Sequence, residues 1–153
     1  MKRLPLYAMA HARSGDKGDG SNVGVLAYDD RGYEILKAWL TPDRVKSHFG
    51  EIVKGRVDRY DLPNLRGLNF ILHDSLGGGG SASLKTDAQG KTHGMALLRM
   101  LVDVPDDYEP PAVGLVGPLR EGGELSDLAP TILGMLGVAI PGVMTGKPIA
   151  TPL

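Results

Sequence analysis

The chain has 153 residues, enough for one ordinary domain with a hydrophobic core, or for a small domain plus an appendage. Its 17 Lys and Arg against 18 Asp and Glu leave a net charge of −1, so it carries no field for holding nucleic-acid phosphates or an anionic membrane surface. The absence of cysteine excludes disulfides, thiolate zinc sites and a cysteine nucleophile, and no apolar run approaches the ~18 residues that cross a bilayer.

The first stretch, "RLPLYAMAHAR", reads as a buried strand. Two cations precede its apolar run, but Pro5 and His11 interrupt it, so it is expected to be a strand rather than a secretory leader, in a cytoplasmic protein. The strand delivers a polar loop, "HARSGDKGDGSN", and "SNVGVLAYD" follows as a second extended or short helical piece. "YEILKAWL" has helical spacing at Ile35, Leu36, Trp39 and Leu40. Thr41, Pro42 and Asp43 then supply an N-cap, a proline at the first helical position and a first-turn acid for a helix over "DRVKSHFGEIVKG".

"RVDRYDLP" alternates Val57, Arg59 and Asp61 against Asp58, Tyr60 and Leu62, and "LRGLNFILHD" follows a turn, so the two predict a hairpin. After "SLGGGG", the alternation in "SASLKTD" predicts another strand, "AQGK" a turn, and "THGMALLRMLVDV" a helix with Met95, Leu98 and Leu101 or Val102 inward. These elements fit an α+β ferredoxin-like sandwich, helices on one face of an antiparallel sheet. The acids and prolines of "VPDDYEPPA" mark a boundary, giving a first domain at 1–105 and a linker and tail at 106–153. In the tail, "AVGLVGP" predicts a strand and "DLAPTILGMLG" a helix capped by Ser126 or Asp127 and ended by Gly137, an appendage that must lean on other protein. The last stretch, "IPGVMTGKPIATPL", reads as coil, where Thr145, Gly146 and Lys147 lack the P-loop that would make them a phosphate site.

Two stretches carry candidate chemistry. In "HARSGDKGDGSN", Gly15, Gly18 and Gly20 permit positive φ, so successive amides can face an anion beside Arg13 and Lys17, with Ser14, Asp16, Asp19 and Asn22 holding the loop or a guest's hydroxyls. In "LHDSLGGGGSAS", Gly77, Gly78, Gly79 and Gly80 lead to Ser81, and ordering four glycines costs entropy that a close-approaching ligand or backbone would offset, unless the segment is a mobile lid. Either stretch also reads as a plain turn or linker. His11 and His73 each follow an apolar strand; if those strands are neighbours, both imidazoles meet Asp16, Asp19 and Asp74 at one sheet end, as a general acid/base pair or a His/carboxylate metal site. Neither has the close ligand partner of an H-E-x-x-H helix, so no metal and no cofactor are expected. His48 and His93, on predicted helices, are expected at the surface or an interface, and no serine has a nucleophile-elbow context.

The segments "AHARSGDKGDGSNVGV", "RVKSHFGEIVKGRVDRYDLPNLRGLNFILHDSLGGGGSASLKTDAQGK" and "LVDVP" together resemble the small C-terminal domain of AtuA, the acyclic terpene utilisation protein, and its free-standing relatives, over about residues 5–105. The resemblance implies a ferredoxin-like fold and a role near the acyl-CoA catabolism of branched or isoprenoid acids. It implies no catalytic residues, and it suggests a separate AtuA-like large subunit as partner. "VGLVGPLREGGELSDLAPTILGMLGVAIPGVMTGKPI" is similar to the extreme C-terminus of cofactor-independent phosphoglycerate mutase, of the alkaline phosphatase superfamily. That family's metal-binding residues and nucleophile are not recognisable here, so the tail implies packing material and no mutase activity.

Three readings stand. The first is an accessory domain binding a small anionic ligand such as an acyl-CoA through both glycine-rich stretches. The second is a lyase or hydrolase with His11 or His73 as general base. The third is a structural module that forms a homo-oligomer, in which the loops only turn the chain.

Overall fold

The computed structural model describes residues 1–111, 124–135 and 139–148. The chain forms two compact units, Met1–Pro111 and Ala112–Leu153.

In the first unit, strand β1 (Lys2–Pro5) runs through a 3-10 turn at Leu6–Ala8 into β2 (Ala10–Lys17). The expected single strand is thus broken in two by that turn, which the Met9 amide closes on the Leu6 carbonyl at 2.9 Å. The expected loop over residues 11–22 is a hairpin instead: β2 pairs residue for residue with β3 (Gly20–Ala27), from Ala10↔Ala27 to Lys17↔Gly20. Only Gly18 and Asp19 lie outside the ladder, and Gly18 alone has positive φ, the pattern of a II′ turn.

Helix α1 (Asp30–Trp39) is capped by Asp29, whose side chain accepts from the Gly32 amide, and α2 (Pro42–Phe49) by Thr41, with Pro42 in its first turn. Helix α2 is shorter than the expected run, since Gly50 adopts a positive φ and a 3-10 turn follows. Strands β4 (Val57–Leu62) and β5 (Gly67–Leu72) form the expected hairpin.

The stretch "SASLKTD" is a run of turns, not a strand. Its alternating residues are polar or exposed, Leu84 entirely so, and nothing apolar remains to hold it on a sheet. The last helix is also shorter than expected: α3 spans His93–Leu98, and Leu101–Val104 forms β6, antiparallel to β1. Consequently Met95 and Leu101 are exposed, and Val102 takes the core position.

The main sheet is antiparallel in the order β2-β3-β5-β4. From β3 onward the chain order is β3-α1-α2-β4-β5-α3-β6, the β-α-β-β-α-β succession of a ferredoxin-like sandwich. The departure is at the closing strand: β2 occupies the place beside β3, and β6 pairs with β1. Val23, Val25, Leu68, Phe70 and Leu72 project from one face of this sheet onto Leu36, Val45, Phe49 and Leu97 of the helices, forming the core.

In the second unit, the 3-10 turn Leu125–Asp127 leads into α4 (Leu128–Met135). Asp127 joins two turns of chain, accepting from the Glu124 amide at 2.9 Å and the Lys147 amide at 2.7 Å. The expected strand "AVGLVGP" and the Gly137 helix end lie outside the described residues.

Candidate functional site

Because β2 is a strand, its side chains alternate, and the residues expected to act as one loop divide between two faces. Ser14 and Asp16 point to the helix side. Ser14 Oγ accepts from the Gly94 amide at 2.8 Å and donates to the Lys91 carbonyl at 3.1 Å. It thereby satisfies the amino end of α3, whose own N-cap residue Thr92 makes no capping bond. Asp87 takes the amides of Lys91 and Thr92 and the Thr92 hydroxyl; burial opposes its ionisation most, but these bonds together hold its carboxyl below the ordinary range. Asp16 lies 3.8 Å from Lys91 Nζ.

The two glycine-rich stretches meet. The Asp19 carbonyl accepts from the amides of Ser75 (3.1 Å) and Leu76 (2.9 Å), and its carboxylate accepts from the Gly78 amide. Gly77, Gly78 and Gly79 all have positive φ, which turns this segment back onto the hairpin. A Cβ on Gly79 would stand 2.6 Å from the Gly18 carbonyl oxygen. The close approach that four glycines demand is therefore made by the protein's own backbone, and the anion at the Gly78 amide is the protein's own Asp19. Gly80 and Ser81 are exposed beyond this tie.

Beneath it lies a buried polar network that the sequence did not reveal. Ser21 Oγ is 3.1 Å from Ser75 Oγ and 2.8 Å from His93 Nδ1, and Ser75 donates to the Leu72 carbonyl. Lys85 Nζ donates to the Ser75 carbonyl at 2.8 Å. His93 is buried rather than at the surface, and that burial pushes its imidazole below its ordinary value; Asp87 opposes the shift and Lys85 adds to it. His48 is exposed, as expected, with Nε2 2.9 Å from the Ala96 carbonyl.

The remaining residues form the helix-free face of the sheet. The register sets Arg13 beside Gly24, Asn69 and Tyr60, and in the next row Gly15 beside Asn22, Ile71 and Asp58. Lys17 pairs with Gly20, and His73, one residue past the last β3–β5 pair, comes level with Gly20. Asn22 Nδ2 donates to Asn69 Oδ1 at 3.3 Å. Four glycines, at 15, 20, 24 and 67, lie on this face; side chains reach over two of them, Lys91 Nζ 3.4 Å from where a Cβ on Gly15 would stand, and Leu26 Cγ and Leu62 Cβ 3.6 Å from one on Gly67. Among the described residues neither Arg13 nor Lys17 has a carboxylate partner; Lys17 Nζ donates only to the Asp16 carbonyl. On the far side His73 Nε2 lies 2.7 Å from Asp58 Oδ2 and Arg56 Nε donates to Asp58 Oδ1 at 2.9 Å. Arg56 first, then His73, hold the Asp58 carboxyl below its ordinary range.

His11 and His73 do not meet. In the antiparallel sheet the end of β5 lies beside the start of β3, whereas His11 pairs with Leu26 near the opposite end, about 20 Å away along β2, and stacks on Tyr28. Asp74 is exposed, with φ of 49°. Among the described residues no three His, Asp or Glu side chains stand together as a metal site, and no helix is long and apolar enough to cross a membrane.

An antiparallel sheet with helices on one face and a polar, glycine-lined opposite face defines a ferredoxin-like α+β domain. Residues 4–103 match the AtuA ferredoxin-like domain, and the chain belongs to that family. Short stretches are also similar to 2,3-bisphosphoglycerate-independent phosphoglycerate mutases. The relative from Shewanella baltica is 60% identical over 37 residues, which is 24% of this chain and 7% of the mutase. The one from Rhodopirellula baltica is 56% identical over 32 residues, 21% of this chain and 6% of the mutase. That from Synechococcus elongatus is 38% identical over 76 residues, 48% of this chain and 14% of the mutase. The chain thus spans a small part of these relatives. No solved structure matches the chain.

Proposed function

We propose that the chain is a cytoplasmic accessory domain or subunit that binds a small anionic molecule, such as an acyl-CoA or its free acid, and works beside a larger AtuA-like component in isoprenoid acid catabolism. The observation that carries this reading is the pair Arg13 and Lys17: two cations without carboxylate partners, on one side of a glycine-lined sheet face. Asn22 and Asn69 add amide donors and acceptors between them. Family membership supports the metabolic setting. Asp16, Asp19 and the segment Gly77–Gly80, with Ser14, serve this reading as the frame that fixes the hairpin; Ser81 stands at its edge.

A thermal-shift screen of the full chain over acyl-CoAs, free carboxylic acids and divalent metals tests it, because a ligand that binds only the folded state raises its apparent stability. Anions are expected to raise the melting temperature of the wild type, and Arg13→Ala with Lys17→Ala to abolish the rise. A rise that survives the double substitution assigns binding elsewhere. No rise with any anion, in a chain that assembles into oligomers, favours the structural module.

A further inference from the structure

We propose that His73, oriented by Asp58, is a proton acceptor for an anionic guest held by Lys17 on the other side of Gly20. Three observations converge on this residue. First, Asp58 Oδ2 lies 2.7 Å from Nε2 and is itself fixed by Arg56, so the unprotonated ring carries its hydrogen on Nε2 and presents a bare Nδ1. Among the described residues nothing hydrogen-bonds Nδ1, and the side chain is 39% exposed.

Second, glycines let the chain pack closely on both flanks of this residue. A Cβ on Gly55 would meet His73 Cβ and O at 2.7 Å, and one on Gly20 would meet the Leu72 carbonyl at 2.9 Å with His73 Cα at 3.7 Å. Third, Asp74, directly after it, turns the chain with a left-handed backbone at φ 49°, a conformation Asp adopts more readily than most residues, which fixes the exit from His73. The bonds from the Gly55 amide to the His73 carbonyl (3.1 Å) and from the Lys54 amide to the Asp74 carbonyl (3.2 Å) hold that turn.

Lys17 stands two strands from His73 in the same row, about 10 Å between backbones, with Gly20 as the residue between them. A small carboxylate is the guest proposed for that interval. The proton leaves a carbon or oxygen acidified by a neighbouring carbonyl, the bonding pair stays on the guest as an enolate or oxyanion facing Lys17, and Nδ1 takes the proton, giving an imidazolium stabilised by Asp58. The substrate class is therefore an anionic carbonyl compound with an acidified proton. The identity of the guest rests on the ligand-binding reading above; the orientation of the ring does not.

The test uses the full chain. Nitrogen NMR is expected to show the unprotonated His73 ring as the Nε2–H form, and Asp58→Asn to increase the Nδ1–H fraction. Deuterium uptake from solvent at the methylene of acetoacetate is expected to run faster than in buffer, and to fall about 10- to 100-fold in His73→Gln and in Asp58→Asn but not in His48→Gln. An Nδ1–H ring in the wild type, or equal exchange by wild type and His73→Gln, overturns the proposal. Acetoacetate that binds without exchanging defeats the proton transfer and leaves the ligand reading intact, whereas no binding of any anion overturns both.

Discussion

Ser21 Oγ and His93 Nδ1 lie 2.8 Å apart, both buried, and that contact joins the hairpin to the helix that closes the first unit. Ser75, 3.1 Å from the same hydroxyl, brings the glycine segment into the joint. Three stretches distant in sequence are thus tied by one small polar cluster, and satisfied buried clusters of this kind favour one arrangement over its alternatives.

The joint predicts a pH dependence. Burial favours the neutral His93 ring, so its folded-state value lies below that of the unfolded chain, and the unfolded state binds more protons on acidification. The stability from this group is complete above the ordinary histidine value of 6.5 and is lost as the pH falls through and below it. Denaturant melts of the wild type between pH 8 and 5 should show this fall, and His93→Gln should flatten it.

Asp19 ties the glycine segment through two different groups, which separate under mutation. Asp19→Ala removes the carboxylate that accepts from Gly78 but keeps the carbonyl that accepts from Ser75 and Leu76. Hydrogen exchange should therefore accelerate at the Gly78 amide and stay slow at Ser75 and Leu76. Equal acceleration at all three would mean that the side chain, not the backbone, holds the segment.

The four successive glycines are not equivalent. Gly79→Ala places a methyl 2.6 Å from the Gly18 carbonyl at a φ of 80°, and should cost about 1–3 kcal/mol. Gly80 has no positive φ and its nearest contact is Gln89 Cγ at 3.6 Å, so Gly80→Ala should stay within about 0.5–1 kcal/mol of the wild type. Chemical denaturation of both variants measures the contrast.

Gly32 inverts the usual helix rule. Replacing a helical glycine by alanine ordinarily stabilises by about 0.5–1 kcal/mol. Here the new methyl would meet Asp29 Oδ1 at 2.6 Å and the Tyr108 hydroxyl at 2.7 Å, so Gly32→Ala should destabilise. Tyr108 is buried against that cap, and burial first, then the Asp29 charge, pushes its phenol up to about 12. Adding Tyr108→Phe should recover part of the loss, read as a coupling in a double-mutant cycle.

Much of the fold was legible where local chemistry dictates it. Thr41-Pro42-Asp43 fixes the start of α2, and the alternation of Val57 to Leu62 against the apolar run to Leu72 fixes the second hairpin. The first hairpin was hidden because Gly15, Asp16, Lys17 and Gly20 look like loop residues, although strand pairing needs only their backbones and neighbours that cover one face. With the hairpin unseen, the alternation separating Arg13 and Lys17 from Ser14 and Asp16 went unseen too, and the condition for His11 to meet His73, that their strands be neighbours, fails because β3 lies between them. The alternation sets Asp58 on the face opposite Val57, but its partnership with His73 depends on register across two strands, which no local pattern carries. The buried place of His93 depends on contacts with Ser21 and Phe49, 72 and 44 positions away in the chain.

The proposed guest meets the helix-free sheet face, not the glycine segment. Backbone amide NMR of the labelled full chain during titration with acetoacetate tests this most directly. Saturable shifts are expected at Arg13, Lys17, Gly20, Asn22 and His73. Shifts confined to Gly77–Gly80, or none at any concentration, would contradict it.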